Sequence, residues 1–334
     1  MRVFLYEYTC ASGAGAALQA EGRAMLRALS QDFAAIPGVE TATILNAQSD
    51  LLASVNICRL HHGQEEKLFR ELSGWADFTL VIAPEFDDIL RMRALWVEEA
   101  GGCLLGSSTS SVLLAGDKWS LGERLQGDGI KTPKCWPIHD QESLVEVSYP
   151  VVWKPRFGAG SQATFLLRRP GDWDRYRADA LAEGYTGETL LQRFVPGLAV
   201  SVAFLIGPRQ TMPLLPALQL LSHDGRFRYL GGTSPLPDKL AERAIDLAAR
   251  AANSVPGLLG YVGVDLVLGE TDDWVIEINP RLTTSYVGLR ALAKTNLAEA
   301  MLRIVGGMEV VQLSWREARV RFDTNGHVEV LSTE

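Results

Sequence analysis

Two stretches of this chain place acidic and amide side chains at a spacing suited to binding a hard cation. They are Val264-Asp265-Leu266-Val267 and Val275-Ile276-Glu277-Ile278-Asn279-Pro280-Arg281. If both are strands, Glu277 and Asn279 share a face, because side chains alternate with period two. Asp265 on a neighbouring antiparallel strand then faces them. Two carboxylates and an amide oxygen suit Mg²⁺, which keeps waters and shares phosphate oxygens with its protein ligands. The plainer alternative, a solvated strand face, is weakened by Asp265 and by the Pro-Arg that follows Asn279. Arg281, two positions beyond Asn279, falls on the same face if the strand persists and brings a cation there; a structural ion pair is its alternative.

Lys154 ends an apolar strand and precedes Pro155 and a turn containing Gly158, Ala159, Gly160 and Ser161. Small residues let backbone N–H groups approach phosphate oxygens, and the ammonium supplies the opposing charge. No Gly-Lys-Ser/Thr follows, so this is not a Walker A loop. Asp117-Lys118 opens a helical stretch at 119–126, where a surface pair is the ordinary reading. Gln192-Arg193-Phe194-Val195-Pro196-Gly197 reads as a strand running into a tight turn. Its edge backbone groups suit an adenine amino group and ring nitrogen, with Phe194 or Val195 packed on the base.

The order of these elements, Asp-Lys, strand-Lys-Pro with a Gly-rich turn, Gln-x-Phe-Val-x-Gly, Asp, and Glu-x-Asn-Pro-Arg, resembles the ATP-grasp superfamily over roughly residues 109–307. The resemblance implies two β-rich lobes closing on ATP, preceded by an α/β domain with a parallel sheet. It implies that Lys118 and Lys154 contact the phosphates, under a loop of Gly158, Gly160 and Ser161. Gln192, Arg193, Phe194, Val195 and Ser201 then line the nucleoside site. Asp265, Glu277 and Asn279 hold Mg²⁺ (or Mn²⁺), and Lys154 and Arg281 act in catalysis. Two departures stand out. Gln192 occupies a position where many relatives have glutamate. The segment after Gly197 reads Leu198-Ala199-Val200-Ser201, without the usual ribose-binding acid. Ser201, Glu188 and Glu183 are the candidates to replace it.

A metal-bound triphosphate does not fix the reaction. The resemblance implies phosphorylation of a carboxylate to an acyl phosphate, followed by amine attack. Thr283, Thr284 and Ser285 precede a helix; they either cap it or set its N-terminus against a substrate carboxylate. Asn-Pro-Arg with Thr-Thr-x-x-Val-Gly, the opening Tyr-Glu-Tyr with Ser12-Gly13, and Ile82-Ala83-Pro84-Glu85 resemble a subgroup of methanofuran biosynthesis that joins tyramine to glutamate. This implies substrate contacts from Glu7, Ser12, Gly13, Arg281, Thr283, Thr284 and Ser285. The expected substrates are the glutamate γ-carboxyl and tyramine or a related amine. Gly231-Gly232-Thr233-Ser234 is either part of that pocket or a loop. The alternatives are another peptide-type amino-acid ligase of the superfamily and an ATP-binding regulatory protein without turnover. A dehydrogenase reading has only Gly13-x-Gly15, without the full dinucleotide fingerprint.

The elements that must carry these residues are legible from periodicity. Strands are expected at 3–6, 41–45, 78–83 and 103–106, with helices near 18–33, around Leu68 and Leu72, and at 89–99. Alternating strands and helices imply a parallel sheet covered on both faces, with ligands at its carboxyl ends, here residues 7–15 and 84–88. Further strands are expected at 151–154, 163–168, 189–194, 200–206, 212–221, 261–268 and 274–278, and a helix at 238–253. Asn325-Gly326 marks a final hairpin. The domains expected are 1–108 (pre-ATP-grasp α/β), 109–187 (small lobe with linker helices) and 188–334 (large lobe). The chain has 334 residues, 47% hydrophobic and 22% charged, with a net charge of −8. That composition fits a globular protein with small-molecule partners and neither a membrane span nor a nucleic-acid-binding face; a homodimer is compatible with it. Cys10, Cys58, Cys103 and Cys135 are far apart and read as cytoplasmic thiols. Cys58, His61 and His62 lack further ligands for a metal.

Overall fold

Apolar strands bounded by amphipathic helices assemble here into three sheets. The computed structural model describes residues 1–14, 18–46, 55–61, 63–138, 147–310 and 312–331; Gly15 and His62 lie outside them. The first sheet contains β1 (Arg2–Glu7), β2 (Glu40–Leu45), β3 (Asn56–Arg59) and β4 (Phe78–Ile82). Its order is β3-β2-β1-β4 and every pairing is parallel, Leu5 lying between Thr43 and Leu80. Parallel strands need crossovers, supplied by α2 (Gln19–Ala34), α3 (Glu65–Trp75) and α4 (Ile89–Glu99); a short α1 (Tyr8–Ser12) precedes them. Both faces are covered, Val3 and Leu5 joining one apolar cluster and Phe4 and Tyr6 another. The strand expected at 103–106 is reduced to a single parallel bridge between Thr79 and Leu104.

Two connecting helices follow, α5 (Thr109–Gly116) and α6 (Lys118–Gly127). Ser108 and Asp117 cap them, Asp117 accepting from the Trp119 and Ser120 N–H groups. The second sheet contains β5 (Cys135–Pro137), β6 (Val151–Pro155), β7 (Phe165–Leu167) and, after α7 (Trp173–Ala182), β8 (Thr189–Arg193). Its order is β5-β8-β6-β7, with antiparallel pairings. Val151, Trp153, Phe165, Leu167, Trp173 and Leu191 form a core of its own. The expectation that residue 188 opens the large lobe is corrected here. Thr189–Arg193 pairs with β5 and β6 because its apolar Leu191 completes this small core.

The third sheet has eight strands: β9 (Leu198–Ile206), β10 (Thr211–Pro213), β11 (Ala217–Leu221), β12 (Tyr229–Ser234), β13 (Gly260–Leu268), β14 (Asp273–Asn279), β15 (Arg319–Asp323) and β16 (Val328–Leu331). Seven follow the order β14-β13-β9-β11-β12-β15-β16, and β10 pairs β9. The continuous strand expected at 212–221 is two, because Pro213 and Pro216 lack the N–H that a ladder requires. Gly231-Gly232-Thr233-Ser234 is strand rather than loop, pairing residue by residue with β15. Helix α8 (Asp238–Asn253) covers one face together with Leu121 and Leu125 of α6. On the other face α9 (Ser285–Leu292) and α10 (Leu297–Val305) pack with α2, so the first domain shares a core with this sheet. Gly288 of α9 approaches Phe322 so closely that a Cβ would lie 2.2 Å from its ring. The Asn325-Gly326 hairpin forms, with the Asp323 carboxylate accepting from the Asn325 and His327 N–H groups.

Candidate active site

The register of β13 and β14 decides the acidic face. Asp265 lies opposite Glu277, and Gly263 opposite Asn279, with a bulge after Asp265. Cross-strand partners share a face, so the three side chains meet, as period two requires. Asn279 Nδ2 donates to Asp265 Oδ2 at 3.1 Å, and Gln219 Nε2 of β11 donates to Oδ1 at 2.9 Å. Burial, then the facing Glu277, push the Asp265 carboxyl above the usual range. Burial pushes Glu277 up as well, but Lys118 and Lys154 outweigh it and hold Glu277 below its ordinary value. Facing acids in a confined cavity form a hard-oxygen donor set whose mutual repulsion a divalent cation would relieve.

Opposite these acids stand two lysines from different elements. Lys154 is the penultimate residue of β6 and 6% exposed, and its ammonium has no hydrogen bond or ion pair among the described residues. Burial lowers its pKa, with Glu277 opposing and Lys118 adding to the shift. Lys118, at the start of α6, lies 3.4 Å from Glu277 and donates to the Gly158 carbonyl at 2.9 Å. It therefore ties the acidic face to the glycine loop. Gly160 has φ +65°, and a Cβ there would lie 2.6 Å from Leu18 at the start of α2. The Ser161 hydroxyl donates to the Phe227 carbonyl at 2.8 Å. Asp117 is not a surface residue; it caps α6 and holds Arg156 through both carboxylate oxygens at 2.8 and 2.6 Å. Burial opposes ionisation of Asp117, but Arg156 and the cap hydrogen bonds hold its pKa below the ordinary value.

A cavity of about 270 Å³ joins these groups. Gln192, Arg193, Phe194, Val195 and Ser201 line it, as do Lys118, Lys154, Gly158, Gly160, Ser161, Asp265, Glu277, Asn279 and Arg281. The Val195 N–H makes no hydrogen bond among the described residues, leaving a donor at the cavity edge. Phe194 faces Phe227 with ring centroids 6.2 Å apart. Gln192 is buried, lines the cavity and donates one amide N–H to the Cys135 thiol at 3.4 Å. Glu183 and Glu188 are absent from the lining; they pair with Arg226 and Arg156. Ser201 is the ribose candidate that does line it, directly across the ladder from Asp265.

The substrate end needs more correction. Arg281 lines the cavity, but Nε and Nη2 bind the Glu85 carboxylate at 2.8 and 3.1 Å, and Nη1 binds the Leu282 carbonyl. The ion-pair alternative is therefore present, and two of the five guanidinium N–H groups remain. Thr283, Thr284 and Ser285 all line the cavity, yet Thr284 at the α9 N-cap makes no side-chain cap. Thr283, Ser285 and the Tyr261 hydroxyl form a partly buried triangle, and Thr284 donates to Glu21 at 2.9 Å. Glu7, Ser12 and Gly13 are not in the lining. Glu7 caps α1 by accepting from Thr9 Oγ1 and the Cys10 N–H, while Ser12 and Gly13 end that helix. The short helix consumes the groups expected to reach substrate. Gly231, Gly232, Thr233 and Ser234 are also outside the lining, their strand packed on Phe322. Sequence reasoning missed Glu21, Gln219, Phe227 and Tyr229. None lies in a motif, and only the packing of α2, β11 and β12 around the cavity reveals them.

Residues 115–285 match the family model of an ATP-grasp domain, and residues 39–112 match a pre ATP-grasp 3 domain. The chain is 26% identical over 314 residues to the tyramine–L-glutamate ligase of Methanocaldococcus jannaschii, covering 92% of this chain and 90% of that one. Among solved structures, an ATP-grasp superfamily protein from Archaeoglobus fulgidus superposes with a TM-score of 0.72 at 25% identity, covering 96% of this chain and 92% of that one. An L-amino acid ligase from Bacillus licheniformis shares the fold, with a TM-score of 0.71 at 14% identity and coverages of 96% and 78%.

Proposed function

The chain belongs to the ATP-grasp family, and from that premise we propose that it is an ATP-dependent carboxylate–amine ligase joining the γ-carboxyl of glutamate to tyramine or a related amine. The observation that carries the ATP half is the opposition of Lys118 and Lys154 to Asp265 and Glu277 across one cavity. The substrates come from the likeness to the tyramine–L-glutamate ligase. Methanofuran-type cofactor synthesis is the corresponding setting, with small-molecule partners and a cytoplasmic location. Among the described residues no helix is long and apolar enough to cross a membrane.

The base is taken by the Val195 N–H and the Phe194–Phe227 rings, and the ribose by the wall carrying Ser201. Lys118 and Lys154 neutralise the β- and γ-phosphates beneath the loop of Gly158, Gly160 and Ser161. Asp265, Glu277 and Asn279 would hold Mg²⁺, which supplies charge neutralisation for the triphosphate and the developing leaving group. A γ-carboxylate oxygen of glutamate attacks the γ-phosphorus, the bond to the β,γ-bridging oxygen breaks, and ADP leaves. The amine nitrogen then attacks the acyl carbon of the γ-glutamyl phosphate, a proton is lost from nitrogen, and inorganic phosphate leaves with the amide formed. Both steps build negative charge on oxygens that Lys154 and the two unspent N–H groups of Arg281 are placed to stabilise. Glu85 holds that guanidinium in position beforehand. The test is ADP release from Mg-ATP and L-glutamate with and without tyramine, with product mass recorded. Amine-dependent release of ADP with a γ-glutamyl amide supports the reading; tight ATP binding without turnover on any amine removes it.

A further inference from the structure

One carboxylate in the cavity has no ion pair among the described residues and no metal-site role. Glu21 sits in the first turn of α2, where an acid ordinarily does no more than complement the helix dipole. Here the side chain turns away from its own helix. Among the described residues it accepts no hydrogen bond from the free N–H groups of that turn, and its donor there is the Thr284 hydroxyl at 2.9 Å. It lines the cavity and has no ion pair among the described residues. The nearby cation, Arg281, acts on it through its field, but its ion pair among the described residues is with Glu85. Burial accordingly pushes the Glu21 carboxyl up, against the opposing pull of Thr284 and Arg281. A carboxylate held in a confined space without a partner is costly unless a cation completes it.

The surroundings define that cation. Tyr229 lines the same cavity, and burial, then the charges of Asp265 and Glu21, keep its hydroxyl protonated. Aromatic faces and a carboxylate together suit a primary ammonium. The position of Glu21 is also enforced. Eleven residues further along α2, three turns and so on nearly the same face, Asp32 accepts from Tyr286 at 2.6 Å and holds Arg290 through both carboxylate oxygens. Helix α2 is thus fastened to α9 at two points, through Thr284 near its start and through Tyr286 and Arg290 near its end.

We infer that Glu21 binds a primary ammonium of the substrates, a role resting on the ligase reading above. Either substrate can bring that group: the α-ammonium of glutamate, or the amine that becomes the acceptor once it loses its proton. Two kinds of measurement test the inference. In the first, KM values for L-glutamate, tyramine and Mg-ATP are determined for wild type, Glu21→Gln and Glu21→Asp. Loss of the charge is expected to raise one amine-bearing KM on the order of 30-fold or more, with KM for Mg-ATP within about twofold and partial recovery in Glu21→Asp. A rise for tyramine assigns Glu21 to the acceptor, and a rise for glutamate assigns it to the donor.

In the second, calorimetry follows binding of tyramine, L-glutamate and their deaminated analogues, 4-ethylphenol and glutarate, to protein holding Mg²⁺ and a non-hydrolysable ATP analogue. The wild type should bind one analogue more weakly than its amine, and Glu21→Gln should erase that difference without weakening the analogue. If both variants fail to fold, the wild-type comparison decides alone, and equal affinity within both amine–analogue pairs removes the inference. Unchanged KM values, or equal weakening of amine and analogue, would also overturn it. Failure of the wild type to form any amide overturns the ligase reading separately. The calorimetry then still decides the role of Glu21, which falls if neither amine binds.

Discussion

Glu277 answers to two demands: it faces Asp265 across the β13–β14 ladder and it anchors Lys118 at 3.4 Å. Its replacement removes both the proposed metal ligand and the counter-charge of two lysines. Glu277→Gln, which keeps the shape, is expected to lower ADP release on the order of 10²–10³-fold at saturating Mg-ATP; near-normal turnover would remove it from the metal set. Lys154 differs, since it is buried without a hydrogen-bond partner among the described residues and burial holds its pKa down. Lys154→Met should raise KM for ATP on the order of 10-fold or more. The ligand-free variant should melt no lower than wild type, because a penalised buried charge has gone. A lower melting temperature with unchanged ATP affinity would show that Lys154 is a structural residue.

At the scale of elements, α6 shows how a local signal carries a long-range duty. Asp117 caps the helix that begins with Lys118, and it also receives Arg156 from the segment after β6. Its depressed pKa fixes the sign of its pH dependence. The stabilisation is fully present above the ordinary aspartate range, near pH 4, and is lost as pH falls through the lower folded-state value. Asp117→Asn keeps a capping oxygen but loses the charge that holds Arg156, and should therefore cost about 1–2 kcal/mol at pH 7. The gap to wild type should close in acid, as followed by urea unfolding at both pH values. A constant gap would mean that the ionised form is not what stabilises α6. Helix α1 teaches the converse. Glu7, Ser12 and Gly13 carry the appearance of a ligand loop, but five residues of helix absorb their polar groups.

For the whole molecule, the question is what closes the small lobe over the cavity. That lobe has its own core, whereas the first domain and the eight-stranded sheet share one. The hairpin between β11 and β12 crosses the gap. Arg226 donates to the Thr164 carbonyl at 2.9 Å, pairs with Glu183 at 2.6 Å and lies 4.2 Å over the Phe165 ring, while Leu166 donates to the Gly225 carbonyl at 2.8 Å. Phe227, in the same hairpin, is the cavity's second aromatic wall. Arg226→Ala should speed hydrogen exchange in Phe165–Leu167 relative to β13, and raise KM for ATP several-fold. Equal exchange in both sheets would show that the hairpin does not hold the lobe.

Much of the site was already written in residue order. Period-two spacing placed Glu277 and Asn279 on one face, and a single apolar strand carrying Lys154 before a glycine turn set an ammonium beside small residues, because these are consequences of local backbone geometry. The helix at 238–253 and the hairpin at Asn325-Gly326 were legible for the same reason. Partnership was not. That Arg281 is taken by Glu85, 196 positions away, that Thr189–Arg193 belongs to the small lobe, and that Glu21 enters the cavity were decided by which sheet each strand joined and which helix packed beside α9. Register and burial set those contacts between segments far apart in the chain, and no local period encodes them.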